Sequence, residues 1–301
     1  MQTRFIRYIK VLSISLCIGL VLTGMINALV DPYNELGWNW IGVYGNDDRQ
    51  RIKAIDTYPH DALLTGSSRT LHINPDDLCG YKFYNASFSS ALPEEIYYYL
   101  KKYLKDEKMV VIGLDFYMFN DTSYPLLNID KWPDRYWPTQ EYLFGWNVLM
   151  DSLKAVYIRE YLRQGRPSNG YVPIQDDPTP DMKTYQFWIN FFINHVYKDY
   201  HLNEERFQYM QKLKQLLDDR HEKYIIFINP MQEDHWKVLH LTGNYEAFWK
   251  WVIRLKGIFP DIKYFPEGQY SQRELYLKSD PSHYLPFVGA MIVNGLTGCG
   301  P

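Results

Sequence analysis

Three short stretches of this 301-residue chain carry residue types suited to nucleophilic chemistry. Gly66-Ser67-Ser68-Arg69 follows the apolar run Ala62-Leu63-Leu64, Asp115 closes the apolar "VVIGLDF", and "SDPSHYLP" holds Asp280 three residues ahead of His283. A serine hydroxyl is a weak nucleophile at neutral pH and needs a base within hydrogen-bond reach, itself oriented by an acid. Asp-x-x-His in a loop can set the carboxylate against Nδ1 and leave Nε2 facing a serine. The spacing alone is common; position gives it weight, with the serines at an early strand end and the Asp/His pair directly before the last helix. The plainer alternative is that Ser67 and Ser68 cap the next helix, and that His283 fixes a turn opened by Asp280-Pro281.

The elements that would position these residues alternate along the chain. Strands are expected at "ALLTG", "YKFYNAS" (81–87), "KMVVIGLDF" (108–116), "KYIIFINP" (223–230) and "IKYFP". Helices are expected from Pro93, over 146–163 and 185–197, in "NEERFQYMQKLKQLLDDRH" and "NYEAFWKWVIRLKGI", and within "HYLPFVGAMIVNGL". Pro93 at a first helical position, with acids behind it, is a helix-start signal. This order predicts an α/β fold: a three-layer α/β/α sandwich with a mostly parallel sheet, its functional groups at the carboxyl ends of the strands. The irregular stretch from about 120 to 200 reads as an insertion or lid.

The N-terminus adds a membrane. Arg4, Arg7 and Lys10 precede an uncharged run from Val11 to Val30, long enough for a hydrocarbon core roughly 30 Å thick. Positive charge ahead of it and Asp31 behind predict a cytoplasmic tip and a single-pass signal anchor over 1–30, with the remainder periplasmic or extracytoplasmic. A cleaved signal peptide is the competing reading. Residues 31–60 read as a juxtamembrane connector and 61–301 as the folded domain. Net charge is −3 with no basic block, which argues against nucleic acid as partner. Cys17 lies in the apolar run, whereas Cys79 and Cys299 would face an oxidising compartment and pair only if the fold brings them together. No Cys/His spacing suggests zinc, and His60, His72, His195, His201, His221, His235 and His240 read as surface or structural residues. The 27 Tyr and 9 Trp suit sugar rings or membrane interfaces as well as cores. Trp132, Tyr136, Trp137 and Trp146 form a cluster in the insertion, either a sugar platform or lid packing.

The blocks together resemble the SGNH (GDSL-like) hydrolase superfamily. Its Gly-Asp-Ser block matches Gly66-Ser67-Ser68 and makes Ser68 the nucleophile; its Asp-x-x-His block matches Asp280 and His283. The second block, usually Asn-x-Gly-x-x-Gly, meets Asn85 with Ser87 and Ser90 in place of glycines. The Asn of the third block, an oxyanion donor, meets Asp115. Over nearly its whole length the chain is similar to an anchored bacterial cell-envelope branch with DPY, G-S-S-R, G-L-D-F and D-x-S-H blocks, seen here in "VDPYNELG", "GSSRT", "IGLDFYMFN" and "DPSHYLPFVG". The resemblance implies a serine esterase or O-acyltransferase, acetyl being the expected group, acting on an envelope or exported polysaccharide without metal or organic cofactor. The amides of Ser68 and Ser90 would bind the oxyanion, and Arg69 would bind a substrate anion or pair with Asp115. The altered second and third blocks leave a second reading: an inactive module that binds a glycan, or a membrane acyltransferase or assembly partner.

Overall fold

The structure, a computed structural model, describes residues 2–33, 35–39, 55–56, 58–125, 129, 139–157, 169–174, 176, 179 and 181–299. The chain divides into two compact units, Met1–Gln50 with Lys131–Arg166, and Arg51–Asp130 with Pro167–Pro301. The division falls elsewhere than at residues 30 and 60, because part of the expected insertion groups with the N-terminal helix.

In the first unit, α1 (Gln2–Val30) contains the span Arg4–Val30, whose most apolar 18 residues have mean hydropathy 2.2. Its 27 residues would reach about 40 Å, long and apolar enough to cross a membrane. Its last turn is tied down by polar chemistry. The buried Asn27 amide donates to the carbonyls of Tyr142, Leu143 and Gly145 at 3.3, 2.8 and 3.3 Å, around the end of α4 (Thr139–Phe144). Ser152 of α5 (Trp146–Tyr157) donates to Asn27 Oδ1 at 3.0 Å. Asp31, at φ 47°, accepts from the amides of Glu35, Leu36 and Trp38 and from the Tyr142 hydroxyl. The helix expected to reach residue 163 is described to Tyr157, and its remainder lies outside the described residues.

The second unit is built on a four-stranded parallel sheet in the order β2-β1-β3-β4: β1 Ala62–Gly66, β2 Phe83–Asn85, β3 Met109–Leu114 and β4 Tyr224–Ile228. All residues of β1 and β3 are buried, as continuous apolar runs require between covered faces. Helix α2 (Ser68–Leu71) leaves β1 through a tight turn, and α3 (Pro93–Tyr103) follows β2. Beyond β3 come α6 (Met182–Phe191), α7 (Glu204–Asp219), then α8 (Glu233–Leu241) and α9 (Tyr245–Ile258) after β4. A hairpin, β5 (Tyr276–Leu277) with β6 (Asp280–Tyr284), leads into α10 (Pro286–Thr297). Val288, Ile292 and Val293 of α10 pack in one cluster with Leu64, Val111 and Phe227 of the sheet.

Several expected elements are shorter or different. The strand expected over 81–87 is confined to Phe83–Asn85, because the Asn85 side chain turns back to bind carbonyls behind α2. "IKYFP" contributes a single parallel bridge, Lys263 to Phe227. The helix expected at 185–197 ends at Phe191 and continues as a π turn, Phe192–Val196. Asp280 and His283, expected in a loop, belong to β6; the Ser282 amide donates to Asp280 Oδ1 at 2.8 Å and curls the strand start back on itself.

A strict backbone demand arises at the ends of β1 and β3, where Gly66 faces Gly113. Gly66 has φ +146°, and a Cβ there would stand 2.4 Å from the Gly113 carbonyl oxygen. Gly66→Ala therefore should lose at least about 2 kcal/mol in urea unfolding. Gly243→Ala, at φ +73° but with open space around it, should lose only about 1 kcal/mol.

Candidate active site

The exit from β1 separates the two serines into different jobs. Ser67 is fully buried; its Oγ accepts from the Arg69 amide at 3.2 Å, capping α2, and donates to Asp115 Oδ2 at 2.5 Å. Ser68, one residue on, is half-buried and lines a cavity of about 400 Å³. The capping role thus falls to Ser67, and Ser68 is left facing the cavity. As the first residue of a helix, Ser68 has a backbone N–H with no partner inside its own helix.

Ser68 Oγ lies 2.8 Å from His283 Nε2, although 215 positions separate them in sequence. His283 Nδ1 lies 2.7 Å from Asp280 Oδ2, and the Ser282 hydroxyl donates to Asp280 Oδ1 at 2.6 Å. Burial alone would raise the Asp280 carboxyl; the bond to His283, the charge on that ring and the bonds from Ser282 outweigh it and bring it from 3.8 down to about 2. With Nδ1 held by a carboxylate, Nε2 is the nitrogen left to accept the serine proton.

Beneath this triad sits a buried polar assembly. Arg69 Nη1 and Asp115 Oδ1 stand 3.0 Å apart as an ion pair off the hydrogen-bond direction, with 5% and 1% of their side chains exposed. Arg69 also donates to the Pro230 carbonyl at 3.2 Å. Burial works against the Arg69 charge, but the Asp115 carboxylate together with Tyr276, Tyr197 and Tyr117 outweighs it, so the guanidinium's pKa is raised. Asp115 Oδ2 accepts further from Asn229 Nδ2 at 3.2 Å, and Asn229 Oδ1 accepts from the Tyr284 hydroxyl at 3.0 Å.

The remaining expected residues divide. Ser90 stands at the cavity beside Ser68, at φ 55°, a conformation that favours the glycine expected there. Asn85 has no free amide for an oxyanion: its Nδ2 donates to the carbonyls of Thr70, Leu71 and Ile73, and its Oδ1 accepts from the Ser87 amide. Asp115 is occupied by Arg69, Ser67 and Asn229, so of the two roles expected for Arg69 the structure contains the pairing with Asp115, and Asp115 is an anchor at its strand end. Arg69 lines the cavity, but its charge is paired below it. Trp132, Tyr136 and Trp137 lie outside the described residues. Sequence reasoning passed over Asn229 and Tyr284, which join the Asp115 assembly; "FINP" marked a strand end, but apolar strand ends carry many amides. It also passed over Trp188, Phe191 and Phe192, which wall the cavity, and His72, whose ring packs edge-on against His283 at 5.4 Å while its Nδ1 bonds the Val172 carbonyl.

Comparison with protein-family models, curated proteins and solved structures found no match.

Two measurements probe this geometry. Asp115→Ala strands the Arg69 charge in the interior and should cost about 3–5 kcal/mol in urea unfolding, whereas Arg69→Met with Asp115→Leu should recover most of the loss. The depressed Asp280 carboxyl adds stability that is complete above about pH 5 and drains away as pH falls through 3.8 toward 2. The unfolding free-energy gap between the natural chain and Asp280→Asn should therefore close over that acid window.

Proposed function

We propose that this chain is an SGNH-type serine esterase or O-acyltransferase, of three-layer α/β/α architecture, that works on acyl esters of a cell-envelope or exported polysaccharide. The observation that carries the reading is the unbroken line Asp280–His283–Ser68, with 2.7 and 2.8 Å contacts, opening on a cavity. The charge pattern around α1 adds a single-pass anchor with the catalytic unit on the extracytoplasmic side.

Ser68 Oγ attacks the ester carbonyl while His283 Nε2 takes its proton. Asp280 holds the ring through Nδ1 and stabilises the imidazolium that forms. The oxyanion is met by the Ser68 amide and the Ser90 amide, two donors where an Asn would have made a third; one lost donor typically costs 100- to 1000-fold in rate. Collapse of the tetrahedral species expels the alcohol, protonated by His283, and leaves an acyl-Ser68. Water then completes hydrolysis, or a sugar hydroxyl completes transfer. Seven of the sixteen lining residues are apolar or aromatic, Leu92, Tyr117, Trp188, Phe191, Phe192 and Val196 among them, which suits an acyl group or the flat face of a sugar ring.

One observation supports the second reading, a module that keeps the fold and binds a glycan or an acyltransferase partner: Asp115, which meets the Asn of the third block in the resemblance, is held by Arg69 and Ser67. A fluorophosphonate probe separates the two. An activated serine becomes labelled at Ser68, labelling disappears in Ser68→Ala and His283→Ala, and p-nitrophenyl acetate turnover falls at least about 1000-fold with it. No labelling of the natural chain, with equal background rates in all three proteins, would leave only the binding module.

A further inference from the structure

Cys79 and Cys299 are 220 positions apart and meet in the folded unit. Cys79 follows the turn Pro75–Asp77 that closes the α2 segment, and Cys299 follows the left-handed Gly298 that ends α10. Cys79 Sγ is 3.3 Å from the Cys299 carbonyl oxygen, and a Cβ built on the adjacent Gly80 would stand 2.9 Å from Cys299 Sγ. Asn294 holds both chains in register. Its Oδ1 accepts from the Cys79 amide at 3.0 Å, its Nδ2 donates to the Asp77 carbonyl at 3.0 Å, and its own carbonyl accepts from the Cys299 amide. Cys79 Sγ also lies 3.3 Å from Asn294 Oδ1, on the same helix end that carries Cys299. Both residues are partly exposed, open to a reagent from solvent.

We propose that Cys79 and Cys299 are a thiol-oxidation site that takes a disulfide oxidant and closes as an intramolecular disulfide. The Cys79 thiolate attacks the oxidant's disulfide, forming a mixed disulfide and releasing one thiol. The Cys299 thiolate then attacks the Cys79 sulfur and expels the second. Two electrons and two protons pass to the oxidant, which leaves as two thiols. The bond joins the segment that runs on from Ser68 to the segment that runs on from His283, so it cross-links the two parts of the chain that must meet for the Ser68–His283 contact. Closing so long a loop restricts the unfolded chain strongly, and the stabilisation grows with loop length in the chain-entropy account.

The test uses the full chain in detergent with Cys17→Ala as background, reduced and then equilibrated with mixed reduced and oxidised glutathione. After quenching with N-ethylmaleimide, the intact mass should show a chain two hydrogens lighter than the reduced form and carrying no maleimide. Cys79→Ser in the same background should retain one reactive thiol or one glutathione. The oxidised chain should unfold on the order of 5–10 °C higher than the reduced chain, a difference absent in Cys79→Ser. Two maleimides, two glutathiones or a chain-to-chain dimer under conditions that oxidise a small dithiol would overturn the proposal.

Discussion

The carboxylate of Asp115 is the point through which both halves of the triad are held. Its Oδ1 faces Arg69 and its Oδ2 receives Ser67 and Asn229, so the residues on either side of Ser68 are both fixed to it. Asn229 passes the same restraint to Tyr284, the neighbour of His283. A buried ion pair of this kind is poor in net stability, since desolvation consumes most of the Coulomb gain, and breaking one side is costly. Its value here is positional. Displacing the Ser67–Arg69 turn would break contacts to Asp115, and displacing β6 would break the Tyr284–Asn229 bond that leads to it.

The sheet order explains why these groups converge. Strand β1 has β2 on one side and β3 on the other, so the crossover from β1 and the crossover into β3 leave in opposite directions, opening a crevice beyond their carboxyl ends. Ser67, Ser68 and Asp115 stand at that crevice, and Asn229 directly follows β4. The two facing glycines at positions 66 and 113 let the α2 turn and its Thr70 side chain come in close enough for the serines to reach the rim.

Much of this is legible in the sequence. The apolar runs of β1, β3 and β4 are continuous because both faces are covered, and such runs stand out without periodicity. The Asp280 to His283 spacing, weighted by its place directly before the last helix, anticipated the carboxylate–imidazole contact. What could not be read depends on long-range partners. Ser67 and Ser68 are identical in type, and only burial assigns one to Asp115 and the other to the cavity. Asn85 carries the same amide as a donor to an oxyanion, but three carbonyls behind α2 claim it. The β5–β6 hairpin was hidden because Tyr276–Leu277 is too short to announce a strand.

The last turn of α1 alters how the N-terminal segment should be regarded. Asn27 and Val30 are buried among residues of α4 and α5, with Asn27 satisfying three carbonyls and one hydroxyl there. A peptidase that severed the chain behind Val30 would remove an integral strut, leaving four polar groups stripped of their partner. Such a cut would therefore damage the first unit, so the helix serves as architecture and cannot be treated as a disposable leash.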